Sequence, residues 1–405
     1  MSGSSRIDEQ SPGWPEGTGM VYFGMSPWTG MWKSRHQLMS RFSKIMPVLY
    51  VEPWVGLRSL RMGQTRRSKI ATDIFRSRTE HQDPNITVYR SPAYLPVSMS
   101  RSLAKISQQL WAQSVRRAMR KAGVLRPIVW VSKPEMRFVI GQLGEVFSIY
   151  HIVDEYAGYT GISTQARKRL ADEEADLLDR VDLTIVASPE LAQTKQGHKR
   201  DLLVLENGVE PQEYMVARQA ASEPADLAAI AKPRIGYSGL IGKRLNLDLI
   251  CHLARHRPDC SVVMIGKVDD RECEDTLAAL RSLPNVYMLG EKRPSDVASY
   301  IVRFDIGLLP YAINVETQHI SPIKMYEYWA AGTPVVSTAI PAAKRHSFAV
   351  NVADNRDEFQ AIIDRILDDP VAADSNRLIE LANENSWQSR VDYVSAELDS
   401  RIGVR

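Results

Sequence analysis

The stretch HISPIKMYEYWAAGTPVVST, residues 319–338, predicts a helix that is followed directly by a strand. Ser321 is a good N-cap and Pro322 suits the first helical position, so we expect the helix to begin there. The aromatic and small residues around and after Glu327 indicate that one side of this helix packs on a core. A Gly-Thr-Pro break at 332–334 ends the helix before the β-branched run. This order of elements is typical of an α/β fold.

The same helix start carries a basic and an acidic residue on neighbouring faces. Lys324 and Glu327 are three residues apart, which brings their side chains close on a helix surface. A lysine beside a helix N-terminus suits a diphosphate. A carboxylate one turn later suits a sugar diol, because it can accept two hydroxyl hydrogen bonds. The alternative is a surface Lys–Glu pair worth about 0.2–0.5 kcal/mol; the half-buried helix favours the binding function.

Short apolar runs alternate with helical patterns on both sides of this stretch. The strand-like runs are MVYFGM (20–25), PVLYVEP (47–53), NITVYR (85–90), PIVWVS (127–132), FSIYHIVDEY (147–156), DLTIVAS (182–188) and LLVLENGVE (202–210), then RIGYSGL (234–240), CSVVMIG (260–266), NVYMLG (285–290), DIGLLPY (305–311) and TPVVST (333–338). Strands separated by helices imply βαβ units and mostly parallel sheets. We therefore predict two Rossmann-like, doubly wound α/β domains, with one large α/β domain as the alternative.

The predicted domain boundaries follow changes in composition along the chain. They are a disordered tail (1–19), a first domain (20–208), a linker (209–232), a second domain (233–385) and a C-terminal helix (386–405) that packs back on the first domain. Ligands of doubly wound sheets bind at the carboxyl ends of the strands, so the cleft between the two domains is the expected site.

Composition and charge narrow the class of protein. The net charge of +3 gives no reason to expect a nucleic-acid partner, and the three cysteines form no C-x-x-C pair. A disulfide framework or thiolate metal site is therefore not expected, and a reducing cytoplasm fits. No apolar run reaches the roughly 18 residues of a membrane-spanning helix. The segment 54–78 mixes basic and apolar residues, which suits an anionic membrane surface, with a solvated basic loop as the alternative.

A glycine-rich loop, GYSGLIGKR, follows the first strand of the second half. Gly239 would let the backbone approach an anion closely, and Lys243 and Arg244 would add positive charge. Its spacing matches neither the dinucleotide fingerprint nor a P-loop, so a plain strand-to-helix turn is the alternative. The chain has no D-x-D motif of the kind that holds a divalent metal. No metal is expected.

Taken in order, these segments resemble a known family. YEYWAAGTPVVST, preceded by SPIK, looks like the donor-binding segment of GT-B glycosyltransferases related to family 4. The similarity is closest to the branch that builds bacterial cell-surface polysaccharides, of the teichuronic-acid and xanthan type, and it covers nearly the whole chain. The supporting segments are RHQLMSRF (35–42), VLYVEP (48–53), YHIVDEYAGY (150–159), LENGVE (205–210), IGYSGLIGKRLNLDLI (235–250) and FDIGLLPY (304–311).

The resemblance implies a GT-B fold, two Rossmann-like domains facing a central cleft, and a function in moving a sugar from a UDP-sugar or GDP-sugar. It implies that Glu327 holds the ribose hydroxyls, and that Ser321 and Lys324 meet the diphosphate beside the backbone at Gly239. The acceptor would be a glycan or a lipid-diphosphate-linked saccharide. The protein would work in the cytoplasm, in peripheral contact with the inner face of the cytoplasmic membrane.

The catalytic residues depend on one departure from the family pattern. The motif of family 4 has two glutamates separated by seven residues, and His319 stands where the first is expected. Asp154 ends the FSIYHIVD strand, and an aspartate in a similar context is the proposed base of an inverting reaction in the xanthan-type branch. The alternatives are a loop acid at Asp154, or Glu155 as the group that faces the cleft. His36 is a weaker candidate for contact with acceptor or phosphate, with a structural histidine as the alternative.

Two other functions fit the same architecture. A nucleotide-sugar epimerase would need a second acid/base pair, which we do not identify in the sequence. A non-catalytic partner in a polysaccharide assembly would keep the donor contacts and lack a base.

Overall fold

A computed structural model describes residues 14–29, 32–53, 78–83, 85–91, 101–155, 163–197, 201–271, 273–369 and 374–402. The chain divides into two compact units. Unit 1 comprises Met1–Val186, Lys195–Leu205 and Val391–Arg405, and unit 2 comprises Ala187–Thr194 and Glu206–Arg390. The first part of the predicted disordered tail (1–13) and most of the basic segment (54–77) lie outside the described residues.

Unit 1 is built on an eight-stranded sheet in the order β3-β4-β2-β1-β5-β6-β7-β8. Its strands are β1 Thr18–Phe23, β2 Val48–Val51, β3 Arg78–Asp83, β4 Ile86–Arg90, β5 Arg126–Val131, β6 Phe147–Ile152, β7 Leu183–Val186 and β8 Asp201–Val204. All neighbouring pairs are parallel except β3 with β4. Its helices are α1 Ser34–Phe42, α2 Arg101–Lys121 and α3 Thr164–Arg180, with a 3-10 helix at Pro134–Val139. Strands β1 and β2 are buried along their whole length, as expected for a covered parallel sheet.

Unit 2 carries a six-stranded parallel sheet in the order β11-β10-β9-β12-β13-β14. Its strands are β9 Arg234–Ser238, β10 Ser261–Ile265, β11 Val286–Gly290, β12 Ile306–Leu309, β13 Val335–Thr338 and β14 Asn351–Ala353. Its helices are α4 Pro189–Thr194, α5 Pro211–Gln219, α6 Ala225–Ala228, α7 Leu247–His256, α8 Glu274–Arg281, α9 Pro294–Ile301, α10 Ile323–Ala331, α11 Pro341–Arg345, α12 Arg356–Asp368 and α13 Ser375–Glu384. The strand order reverses between β9 and β12, and that switch point is where doubly wound sheets bind ligands.

The predicted linker, residues 209–232, is folded into unit 2. It contains helices α5 and α6, and Tyr214 and Leu227 are buried in the core of that unit. The Ala, Ser, Glu and Pro residues that suggested a linker occupy much of the exposed surface of this segment. Sparse apolar residues are enough to hold two short helices in place, because each is almost completely removed from water.

The chain passes between the units more often than the sequence suggested. Residues Ala187–Thr194 belong to unit 2, although strands of unit 1 precede and follow them. The last helix, α14, runs from Trp387 to Ile402, and its residues from Val391 belong to unit 1. Hydrophobic periodicity cannot predict such exchanges, since a helix or strand has the same pattern of apolar residues whichever core it packs on. None of the helices in the described ranges is long and apolar enough to cross a membrane.

Candidate functional site

Helix α10 carries the predicted donor-binding residues and begins one or two residues later than predicted. Its first residue is Ile323, and Pro322 occupies the N-cap position with no side-chain cap. The prediction that Ser321 caps the helix is therefore wrong. The Ser321 hydroxyl instead accepts the Asn207 N–H at 3.1 Å, and the Ser321 carbonyl accepts the Asn207 Nδ2–H at 2.6 Å. The hydroxyl and carbonyl oxygens of Ser321 therefore fix the turn before the helix.

Lys324 and Glu327 form an ion pair on the first turns of α10. The Lys324 Nζ lies 2.9 Å from Glu327 Oε2 and 3.2 Å from Oε1. Their side chains are only 19% and 14% exposed, because the opposite side of the helix is packed in the core through Met325, Tyr328 and Trp329. This is a half-buried pair on a rigid helix. An anion that takes Lys324 would release the Glu327 carboxylate to accept hydroxyl hydrogen bonds.

The glycine-rich loop after β9 is held by close backbone contact with the end of β10. Gly239 has φ +154° and its N–H donates to the Ile265 carbonyl at 2.8 Å. A Cβ on Gly266 would lie 1.8 Å from the Gly239 oxygen, so only glycine fits there. The Gly239 amide is thus already used within unit 2. Gly266 was not singled out from sequence, although it ends a predicted strand.

Lys243 and Arg244 extend from this loop toward a carboxylate that the sequence analysis missed. Arg244 Nε lies 3.3 Å from Glu316 Oε2, and Lys243 Nζ lies 4.0 Å from Glu316 Oε1. Glu316 is fixed by Asn314, whose Oδ1 accepts the Glu316 N–H at 2.9 Å. The Ala312 N–H also donates to the Arg244 carbonyl at 2.9 Å, so the loops after β9 and β12 are joined at the switch point.

One charged residue from each of these two ion pairs, Arg244 and Glu327, acts on the same side chain, Tyr311. Burial raises the pKa of Tyr311 to about 12, while Arg244 lowers that pKa and Glu327 raises it. Both charges therefore lie within electrostatic reach of the same side chain. Unit 2 thus offers three cations, Lys243, Arg244 and Lys324, that can meet a diphosphate, and a carboxylate, Glu327, that can meet a diol.

The turn before α10 is held by residues from two other segments of unit 2. The Ser188 hydroxyl donates to the His319 carbonyl at 2.8 Å, and Ser188 is fully buried. The His319 ring Nδ1–H donates to the Val315 carbonyl at 3.3 Å. Together with Asn207, these contacts fix residues 319–321. The contacts of Ser188 and Asn207 were not found from sequence, because these residues are 131 and 114 positions away from their partners along the chain.

In unit 1, the two candidate bases, Asp154 and Glu155, follow the carboxyl end of β6. Glu155 Oε2 lies 2.9 Å from Lys195 Nζ, which also lies 2.8 Å from Glu174 Oε2. Although burial lowers the pKa of Lys195, Glu174 and Glu155 raise it above the usual value. Glu155 is therefore part of a buried ion-pair cluster. Asp154, half-buried directly after the strand, stays the candidate base.

His36 does not have the environment of an acceptor contact. It is 1% exposed, its Nδ1 accepts the Lys33 N–H at 3.0 Å, and its Nε2–H donates to the Trp28 carbonyl at 3.0 Å. Burial and, next, the charge of Arg35 lower the pKa of His36 to about 4, so the ring is neutral at pH 7. Both ring nitrogens form hydrogen bonds that fix the start of α1. This environment is that of a structural histidine.

The described ranges contain no group of three or more His, Cys, Asp or Glu side chains that could hold a metal ion. Metal independence stays a prediction.

Part of the second unit matches a family of known proteins. The family described as glycosyl transferases group 1 matches residues 232–369. The putative teichuronic acid biosynthesis glycosyltransferase TuaH of Bacillus subtilis (strain 168) is 28% identical over 188 residues, which cover 45% of this chain and 47% of TuaH. The alignment thus spans about half the length of that relative.

Solved structures match over almost the whole chain. Sucrose-phosphate synthase from Thermosynechococcus elongatus gives a TM-score of 0.70 at 14% identity, covering 96% of this chain and 100% of that one. Anabaena HepE, solved with UDP-glucose, gives 0.65 at 13% identity, covering 94% and 99%. The E. coli trehalose-6-phosphate structure, bound with UDP-2-fluoro glucose, gives 0.64 at 12% identity, covering 94% and 99%. These likenesses confirm the predicted fold class. Residues 232–369 thus match the family described as glycosyl transferases group 1, within a chain that has the GT-B fold.

Proposed function

We propose that this protein is a glycosyltransferase that moves a sugar from a UDP-sugar or GDP-sugar to a glycan or lipid-linked saccharide acceptor in bacterial surface polysaccharide synthesis. The observation that carries the proposal is the half-buried Lys324–Glu327 pair on helix α10, in the part of unit 2 that matches the group 1 family, together with the Arg244–Glu316 pair after β9. HepE, which was solved with UDP-glucose, and TuaH, which is named for teichuronic acid biosynthesis, support the substrate class and the pathway.

The proposed chemistry assigns one substrate to each unit. Unit 2 holds the donor: Glu327 accepts the ribose hydroxyls, and Lys324, Lys243 and Arg244 stabilise the charge that develops on the leaving diphosphate. In unit 1, Asp154 takes the proton from the acceptor hydroxyl as it attacks the anomeric carbon. The side-chain cations do this work in our proposal, and no metal is assigned.

An assay with several nucleotide sugars and a membrane extract as the source of acceptor tests the proposal. We expect release of a nucleoside diphosphate together with incorporation of the sugar into the extract. An epimerised donor in the absence of acceptor would favour the epimerase, and donor binding without turnover would favour the non-catalytic partner. A metal chelator is expected to leave the rate unchanged.

The location of the protein is part of the same proposal. A nucleotide-sugar donor and a lipid-linked acceptor meet at the inner face of the cytoplasmic membrane. The basic segment 54–78, which would supply peripheral contact with anionic lipid, lies almost entirely outside the described residues. Membrane contact through it stays a prediction.

Asn207 gives a prediction about the turn before α10. Asn207→Ala removes the hydrogen bond from Nδ2 to the Ser321 carbonyl. Loss of one such bond, worth about 0.5–1.5 kcal/mol, should weaken binding of UDP or GDP by up to roughly tenfold, because the turn then no longer fixes Lys324. Calorimetry on the folded variant measures this.

Asn285 offers a matched control in the same unit. Its Nδ2 donates to the carbonyls of Ala254, Arg257 and Cys260 at 2.9, 3.0 and 3.0 Å. Asn285→Ala should lower the free energy of unfolding and leave nucleotide affinity unchanged. Equal nucleotide affinities in the wild type and in Asn207→Ala would contradict a positioning function for Asn207.

A further inference from the structure

Unit 1 contains a buried arginine that forms no ion pair with the described residues. Arg35, in the first turn of α1, is 8% exposed. Its Nε donates to the Tyr50 hydroxyl at 3.1 Å and its Nη2 donates to the Ser26 hydroxyl. None of the carboxylates in the described part of the chain forms an ion pair with it. The acid on the adjoining strand, Glu52, is already occupied by the Trp28 N–H at 3.0 Å and by Arg90 Nε at 2.7 Å.

A second buried arginine shows the usual arrangement. Arg234, in unit 2, is 4% exposed. Its Nη1 lies 2.8 Å from Glu223 Oε2, and its Nε and Nη2 donate to the Ile230 carbonyl at 2.9 and 2.8 Å. Buried charges are normally neutralised in this way, since removing a charge from water is costly unless a partner of opposite sign replaces the water. Within the ranges that the structure describes, the partners of Arg35 are two neutral hydroxyls.

A second basic side chain lies within electrostatic reach of Arg35. Lys33 precedes α1, and burial, together with the charge of Arg35, lowers the pKa of Lys33. The neighbouring His36 is neutral at pH 7 because its pKa is lowered to about 4. The first turn of α1 contains no acidic residue, so the positive end of the helix dipole is not compensated there.

The position in the sheet is one where ligands bind. The strand order of unit 1 reverses between β1 and β5. Ser26 follows β1, and Ser132 follows β5 and shares a 2.9 Å hydrogen bond with the Tyr22 hydroxyl. Arg35 therefore lies by the carboxyl end of β1, next to the switch point of the sheet, with hydroxyl groups beside it.

We propose that Arg35, with Lys33 and the first turn of α1, binds a phosphate or diphosphate group carried by the acceptor. A planar guanidinium with several N–H donors suits two oxygens of a phosphate. The hydroxyls of Ser26 and Tyr50 keep the guanidinium oriented. The identification of the acceptor as the carrier rests on the proposed function, whereas the phosphate site itself rests on the contacts of unit 1.

Inorganic pyrophosphate is the probe that separates this site from the donor site. The wild-type protein is first saturated with UDP or GDP, whichever binds more tightly, and pyrophosphate is then titrated by calorimetry at constant ionic strength. We expect pyrophosphate still to bind. Arg35→Met should weaken that binding at least tenfold and change nucleotide affinity less than twofold. If the protein binds pyrophosphate in this way but transfers no sugar, the phosphate site is supported and the proposed function is contradicted.

Two outcomes would overturn the proposal. Saturation with nucleotide could abolish pyrophosphate binding while Arg35→Met weakens nucleotide affinity; Arg35 would then meet the donor diphosphate. Alternatively, Arg35→Met could bind pyrophosphate as the wild type does.

Stability measurements distinguish a ligand-binding arginine from a structural one. In phosphate-free buffer, Arg35→Met should unfold at the wild-type denaturant concentration or above it, because it removes a buried charge that forms no ion pair with the described residues. The matched control Arg234→Met should unfold at a lower concentration and keep its pyrophosphate affinity. If Arg35→Met does not fold, Arg35→Lys carries the test. It keeps the charge and loses the planar fork, so pyrophosphate should bind several-fold more weakly, and unchanged affinity would contradict the proposal.

Discussion

Asp154→Asn is expected to reduce kcat by about 10²–10⁴ and to leave the affinity for nucleoside diphosphate nearly unchanged. The amide keeps the size of the side chain and removes its ability to accept the proton of the acceptor hydroxyl. A general base acts on the transition state, so the loss should appear in turnover rather than in donor binding. Steady-state kinetics with saturating donor, together with calorimetry, measure the two effects separately.

Glu155→Gln is the matched control, because the two acids are adjacent and Glu155 belongs to the ion-pair cluster of Lys195. Glu155 pairs with Lys195 at 2.9 Å, so its loss should lower the free energy of unfolding and leave kcat within a few-fold of the wild type. Near-normal turnover in Asp154→Asn, or a kcat in Glu155→Gln that falls as far, would remove Asp154 as the base.

The stereochemistry of the product provides an independent check on Asp154. A base that activates the acceptor for direct displacement gives an inverted anomeric centre. His319 in place of the first motif glutamate agrees with inversion, since the contact associated with the retaining relatives is missing. NMR of the product linkage decides the point, and a retained configuration would indicate a mechanism in which the donor phosphate assists.

Glu327→Gln is expected to weaken binding of UDP or GDP by about 1.5–3 kcal/mol, the usual range for a hydrogen bond to a charged group. The expected cause is lost recognition of the ribose diol, so the 2′-deoxy nucleoside diphosphate provides the sharper measurement. The wild type should prefer the ribonucleotide, and the variant should lose most of that preference. Lys324, released from its 2.9 Å contact with the carboxylate, would remain available to the diphosphate.

The Arg377–Glu380 pair has the same three-residue spacing as Lys324–Glu327, and it controls for the loss of an ion pair. Glu380 lies 3.1 Å from Arg377 on helix α13, and both side chains are more than half exposed, at 64% and 51%. Glu380→Gln should leave nucleotide affinity and stability almost unchanged, as exposed pairs contribute little. A folded Glu327→Gln protein with wild-type affinity for both the ribonucleotide and its 2′-deoxy analogue would place Glu327 outside the donor site.

Local sequence was sufficient for the parts of the site that are local. Lys324 and Glu327 are three residues apart on one helix, and helical geometry alone brings them together. The alternation of strands and helices likewise predicted two α/β halves, with the glycine-rich loop after the first strand of the second half. The helix start was placed too early, because Ser321 looks like a cap in sequence but bonds Asn207 in the structure.

By itself, the amino-acid sequence determined the α/β class, the two Rossmann-like halves and the Lys324–Glu327 helix, since periodicity and spacing act over a few residues. Only the tertiary structure decided which distant groups neutralise one another. It placed Glu316 against Arg244, took Glu155 into a cluster with Lys195, and buried Arg35 against the hydroxyls of Tyr50 and Ser26. The physical reason is that the energy of a charge depends on its burial and on the charges packed around it, and both are set by the fold rather than by position along the chain.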